Sequence, residues 1–173
     1  MDDAINGSGV TLRRWNASFV GELSEVAIRS AEHLSAFLPS VVVELQDPER
    51  FIERARDVWN DGHEYAFAVL DADGCVAGQV TLTPDGTTAE IGYWISPDRI
   101  GRGLATAAVR ILISSARKQH TMPERFQLHC DLANTASARV AAKAGFRHVE
   151  THPVPGPGSE AQSGIEMLWV LDA

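Results

Sequence analysis

Gly101 and Gly103 stand one residue apart, immediately before an apolar stretch that opens with Leu104 and Ala105. That spacing has a chemistry. A glycine has no side chain to cover its backbone N–H, and a helix starting directly afterwards adds unpaired amides and the positive end of its dipole. Residues 95–105, ISPDRIGRGLA, therefore have the composition of an anion cradle suited to a phosphate or pyrophosphate. The stretch lacks the third glycine and downstream acidic partner of a dinucleotide site, and the Gly-Lys-Ser or Gly-Lys-Thr of a nucleotide P-loop. A turn that merely links a strand to a helix would use the same residues, so the surrounding elements must decide.

Other reactive side chains are sparse in pattern. Cys75 and Cys130 sit in apolar, strand-like surroundings, as packed thiols do, and a covalent role for Cys130 is the less favoured alternative. His148 and His152 are four apart, but the second precedes Pro153 in an extended stretch, so no metal site is expected.

The cradle needs a strand before it and a helix after it, and the periodicities supply both. Residues 1–9 look like a loose leader, and residues 10–15 alternate as a first strand. Phe19, Leu23, Val26, Ala27, Ser30 and Leu34 recur at helical spacing behind Asn16 or Ser18 as cap. Residues 33–41 are apolar but interrupted by Pro39, and read as a loop with large side chains. Asp47-Pro48 starts a second helix, with Phe51, Ile52, Ala55, Val58 and Trp59 on its buried face and Gly62 at its end.

The period then changes to two. Strands at 65–71, 76–83 and 88–95, joined by short turns at 71–74 and 84–86, make an antiparallel meander. Leu104, Ala107, Ala108, Ile111, Leu112 and Ser115 form a helical stripe down to about His120, and residues 125–132 alternate as a strand parallel to 88–95. Asn134 caps a further helix that ends at Gly145-Phe146. A proline-rich loop, 153–158, leads to a final strand at 165–171 that closes the sheet. The fold class is α/β, a mixed, mostly antiparallel sheet with one splayed parallel pair, flanked by helices.

A chain of 173 residues suits one domain, here 1–173. Asp and Glu exceed Lys and Arg by 23 to 15 and no basic run appears, which argues against nucleic acid as a partner. The acidic start lacks an apolar core and no later run is long enough to span a bilayer, so no membrane partner and a cytoplasmic location are expected.

Residues 95–105 resemble the acyl-CoA loop of the GNAT N-acetyltransferase superfamily, Gln/Arg-x-x-Gly-x-Gly/Ala, with Gly103 and Ala105 at the last two marked positions. Ile100 stands where the loop has Gln or Arg. Residues 134–146, NTASARVAAKAGF, are similar to the Asn-x-x-Ser…Lys-x-Gly-Phe segment of its Rim-type (RimJ/RimL-like) branch, the ribosomal-protein N-terminal acetyltransferases. Residues 90–95, EIGYWI, and 33–39, HLSAFLP, also resemble that branch.

The resemblance implies attack of a neutral amine on the thioester of acetyl-CoA, with no metal. The acceptor it implies is a protein N-terminus or a small-molecule amine, and a homodimer is compatible with it. Trp94, Ile95, Ile100, Gly101, Arg102, Gly103, Leu104, Ala105 and Asn134 are the implied acetyl-CoA contacts. A backbone N–H around 94–96 is the implied oxyanion donor. Glu90 is the expected base: in strict alternation it shares a strand face with Gly92 and Trp94, although the same carboxylate could simply point outward. Ser137 is the implied donor to the departing thiolate, or else only a hydroxyl bonded to its own helix backbone. A sensor that binds acyl-CoA without turnover, or a transferase of another acyl group such as succinyl, would share the cradle.

Overall fold

The computed structural model describes residues 1–7, 9–119, 121–156 and 158–172. Its strands are β1 (Ala4–Gly7), β2 (Val10–Arg14), β3 (Tyr65–Leu70), β4 (Val76–Asp85), β5 (Thr88–Ile95), β6 (Arg125–Asp131), β7 (Arg147–Pro153) and β8 (Ile165–Leu171). They form one 8-stranded sheet in the order β1-β2-β3-β4-β5-β6-β8-β7. Every described pairing is antiparallel except β5 with β6. The final strand does not lie at the edge. β8 slots between β6 and β7, which leaves β7 outermost and largely exposed.

Alternation along the strands sends apolar side chains to both faces. Ala66, Ala68 and Leu70 join Trp94 in a core with α1 (Val20–Ser35) and α3 (Pro48–Asn60). Phe67, Val69, Ile91, Ile95, Leu128 and Cys130 belong to a second core with α4 (Leu104–Ala116) and α5 (Thr135–Ala144). A sheet buried on both faces explains why β3, YAFAVL, is apolar at almost every position.

Three sequence expectations are corrected. The leader is not loose: residues 4–7 pair with β2, Ile5 packs on the core, and the Arg14 amide bonds to the Asp3 carbonyl at 2.8 Å. The apolar stretch 33–41 is not a loop throughout, because α1 runs to Ser35 and a short α2 (Pro39–Glu44) begins at the very proline read as an interruption. Proline is tolerated at a first helical position, where its missing N–H would have no partner anyway. α4 stops at Ala116, and the expected end near His120 lies outside the described residues, as does Pro157 within the proline-rich loop. None of the described helices is long and apolar enough to cross a membrane.

Candidate active site

The parallel pair is short. β5 and β6 match only at Thr88–Arg125, Ala89–Phe126 and Glu90–Gln127, after which they part. Beyond Glu90 the rest of β5 and β6 face each other across an open wedge. A cavity of about 820 Å³ fills this wedge and runs on to the start of α4.

At one end lies the cradle. A turn at Pro97–Arg99 leads to Gly101 and Gly103, whose φ values of 76° and 79° lie in the left-handed region that disfavours any side chain. Gly103 is the cap of α4, and no side chain bonds to the amides behind it. Nothing lies within 4 Å of where a Cβ would stand at either glycine, so the space in front of these donors is open. Trp94, Ile95, Ile100, Gly101, Gly103, Leu104, Ala105 and Asn134 all line the cavity. Arg102 does not: its guanidinium turns back to the Asp98 carbonyl at 3.1 Å. Across the slot, α5 contributes Arg139 and Lys143, which are four apart and therefore on one helix face. Sequence reasoning passed over both, although that spacing behind a capped start could have found them.

Strand parity sorts the remaining groups. Glu90, Gly92 and Trp94 share the face toward α1–α3, while Tyr93 lies with Ile91 and Ile95 on the face toward α4 and α5. At Gly92 a Cβ would sit 2.7 Å from Thr81 Oγ1, so a side chain there would have to displace that hydroxyl, and glycine leaves the floor beside Glu90 open. On β6, Leu128 and Cys130 belong to the α4–α5 core, and alternation turns His129 the other way, toward Glu90.

Two side-chain bridges span the wedge. On the α1–α3 face, Glu90 Oε2 meets His129 Nδ1 at 2.9 Å while Glu90 Oε1 accepts from the His129 amide at 3.2 Å. The hydrogen bond to Glu90 holds His129 above its ordinary value, against an opposing effect of burial. On the α4–α5 face, the Tyr93 hydroxyl lies 2.8 Å from Ser137 Oγ. Burial pushes the Tyr93 phenol up to about 12, against the pull of that same hydrogen bond. Burial likewise pushes the Cys130 thiol up, with Ser137 and Trp169 acting against it, so the sulfur is no ready nucleophile.

Ser137 is placed by its helix. Asn134 Oδ1 accepts from the Ser137 amide at 3.0 Å, so Asn134 both caps α5 and lines the cavity, and the Ser137 hydroxyl remains available to Tyr93. The backbone donor is also refined. The Ser96 amide is committed to the Ala77 carbonyl at 2.8 Å, and successive amides of a strand point to opposite sides, so the Ile95 amide faces the wedge.

At the far end the cavity is roofed. The β7–β8 loop crosses to the turn after α1, with the Ser159 hydroxyl on the Ala36 carbonyl and Gln162 Nε2 on the Phe37 carbonyl at 3.3 Å. Asp131 pins this loop from below. Its carboxylate accepts from the amides of Ala133, Ser163 and Gly164 and from the Ser163 hydroxyl. Burial would raise the Asp131 carboxyl, but these bonds outweigh it and hold the group low. Among the described residues no cluster of His, Cys, Asp or Glu has the form of a metal site.

The profile of the Acetyltransferase (GNAT) domain matches residues 10–147. The chain belongs to this family. A curated relative, ribosomal-protein-serine acetyltransferase of Escherichia coli (strain K12), is 26% identical over 111 residues, which cover 62% of this chain and 61% of the relative. The match thus spans less than two thirds of that relative's length. Among solved structures, the microcin C7 self-immunity acetyltransferase MccE, in complex with acetyl-CoA and AMP, superposes with a TM-score of 0.85 at 20% identity, covering 96% of this chain and 94% of its own. RimL, a ribosomal L7/L12 α-N-protein acetyltransferase in complex with coenzyme A, gives 0.86 at 18% identity, over 98% and 97% of the two chains. RimJ of Mycobacterium smegmatis gives 0.82 at 22%, over 95% and 82%. At such identities these structures establish the shared GNAT fold, with its short parallel pair and helices on both faces.

Proposed function

We propose that this GNAT chain transfers acetyl from acetyl-CoA to the α-amine of a polypeptide N-terminus, by direct attack of the amine on the thioester. The observation that carries the reading is strand parity at the wedge. Donor-side groups, the cradle with Tyr93 and Ser137, lie toward α4 and α5, and acceptor-side groups, Glu90 and His129, lie toward α1–α3. The wedge joins the two sides where the strands have no pairing. A thioester arm entering from the cradle would then meet an amine entering from beneath the roof.

When bound, acetyl-CoA supplies the activated acetyl group. The open amides of the Gly101–Ala105 turn would hold its pyrophosphate, with Arg139 and Lys143 adding positive charge. The Ile95 amide would face the carbonyl oxygen as negative charge develops there. On the acceptor side, Glu90 fixes the His129 tautomer: Nδ1–H donates to the carboxylate, which leaves Nε2 with the lone pair. His129 takes a proton from the attacking amine, directly or through a bridging water, and Glu90 stabilises the resulting cation. Ser137 donates to the sulfur as the C–S bond breaks.

The roof favours a chain end over a chain interior. With the β7–β8 loop bonded to the turn after α1, a terminus can thread beneath it, whereas an internal lysine would have to bring its flanking chain along. Ionisation favours the same choice. An α-amine of pKa near 7.7 is about 17% neutral at pH 7, against about 0.04% for a lysine amine.

Labelled acetyl-CoA offered to peptides with free or blocked N-termini, with and without internal lysines, and to small amines tests the reading. Label on free N-termini alone is the expected result. Label confined to small amines would replace the polypeptide acceptor, and binding of acetyl-CoA without any labelled product would leave a sensor.

A further inference from the structure

We infer that Tyr93 is a positioning residue for thiolate departure: its phenol donates to Ser137 Oγ and so turns the Ser137 proton toward the sulfur of the leaving coenzyme. The inference rests on the acetyl-transfer reading above and assigns a group it does not require.

Hydrogen-bond satisfaction sets the direction of the Tyr93–Ser137 bond. The two hydroxyl oxygens are 2.8 Å apart, so one donates and the other accepts. Among the described residues Ser137 Oγ is the sole hydrogen-bond partner of the Tyr93 hydroxyl. Tyr93 is half-buried and lines the cavity; were Ser137 the donor, the phenol proton would have no protein acceptor among the described residues, and an unpaired donor in so sheltered a place is costly. With Tyr93 as donor the phenol is satisfied and the serine proton is directed elsewhere. The Ser137 hydroxyl lines the cavity beside Cys130, whose thiol it influences, so a sulfur already neighbours this oxygen in the free protein.

The phenol suits the role because it does not ionise in the working range; burial keeps it a donor at every pH at which the enzyme would act. Its backbone is equally fixed. Tyr93 lies in the β4–β5 pairing opposite Val80, while Ser137 is tied through its amide to Asn134, so the two hydroxyls are held from two separate elements across the wedge. In the step itself the C–S bond breaks and its electron pair passes to sulfur. Ser137 donates its hydrogen bond to that charge, and a donor that itself accepts from a phenol is the stronger for it. The thiolate then acquires, by way of water, the equivalent of the proton that a neutral amine surrendered to His129, so none is gained or lost overall.

Tyr93→Phe removes the one oxygen and keeps the ring that packs on the core. The expected result is a fall in kcat of roughly ten-fold, with KM for acetyl-CoA and calorimetric binding of CoA within about two-fold of wild type. A packing role alone would not produce that split. The second readout is a double-mutant cycle: in a Ser137→Ala background, Tyr93→Phe should cost nothing further, because Tyr93 acts only through that hydroxyl. A Tyr93→Phe enzyme with wild-type kcat overturns the inference, and so does a full, additive loss on top of Ser137→Ala. Neither result touches the acetyl-transfer reading, which fails separately if the wild-type protein labels no amine.

Discussion

If Glu90 acts by holding His129, replacing it by glutamine should move a pH profile rather than abolish turnover. The introduced amide would still offer an oxygen to the Nδ1–H but would remove the charge. A hydrogen bond to a charged group contributes about 1.5–3 kcal/mol, and both side chains here are about a third exposed, so solvent screening selects the lower end. The sign follows from the folded protein: Glu90 raises His129, so the ring is protonated and inactive as a base at low pH, and kcat rises as pH climbs through its elevated value. Glu90→Gln should shift that rising limb toward acid, with a plateau lowered by about ten-fold at most, the equivalent of about 1.5 kcal/mol, because a less basic ring accepts the proton less readily. His129→Gln should lose the limb altogether and about 10²-fold in kcat. Steady-state kcat measured from about pH 5 to 9 on one acceptor peptide, at saturation, makes the comparison, since the amine's own ionisation is common to every variant. An unmoved limb in Glu90→Gln refutes the pairing. A loss of about 10²-fold there with a normal profile in His129→Gln would return the base to the carboxylate.

Gly103→Glu should abolish calorimetric binding of CoA in a folded protein, because it combines a left-handed φ of 79° with a negative charge in the anion site. Asn134→Ala should cost about 1 kcal/mol of stability by removing the bond to the Ser137 amide, read as a lower denaturant midpoint. Asp131→Asn should loosen the roof, seen as faster amide exchange at Ser163 and Gly164. Because the folded Asp131 carboxyl lies below its ordinary value, its contribution to wild-type stability is present above about pH 3.9 and is lost as pH falls through the folded value, and the variant should lack that acid-dependent part.

Much of this site was legible in the sequence because parity and caps are local. Glu90, Gly92 and Trp94 alternate onto one face in the chain as they do in space, and the Asn134 cap falls at the expected step before Ser137. What escaped was pairwise and distant. His129 gave no signal beyond its place in an alternating strand, since its partner lies 39 residues earlier and depends on where the parallel pairing ends. Tyr93 gave no signal beyond its place in a strand; its ring packs on the core, and its hydroxyl meets Ser137 only because α5 lies over it. The leader escaped for a similar reason. A four-residue edge strand has little period of its own and is set by the strand it joins.

The same parity assigns the two bridges to different steps of the proposed reaction. Adjacent strand positions point to opposite sides of a sheet, so a one-residue slip in β5 would carry Tyr93 to the acceptor side and Gly92 to the donor side. Register is held against that slip by burial: Ile91 and Ile95 are committed to the α4–α5 core and Trp94 to the α1–α3 core. In the proposed mechanism, proton removal from the amine and donation to the sulfur would thus be separated by the sheet itself, and the open wedge past Glu90–Gln127 would let one acetyl group be addressed from both sides. Closing that wedge by extending the parallel pairing would leave the cradle, both bridging pairs and the roof in the chain, yet deny the amine any line of approach to the thioester.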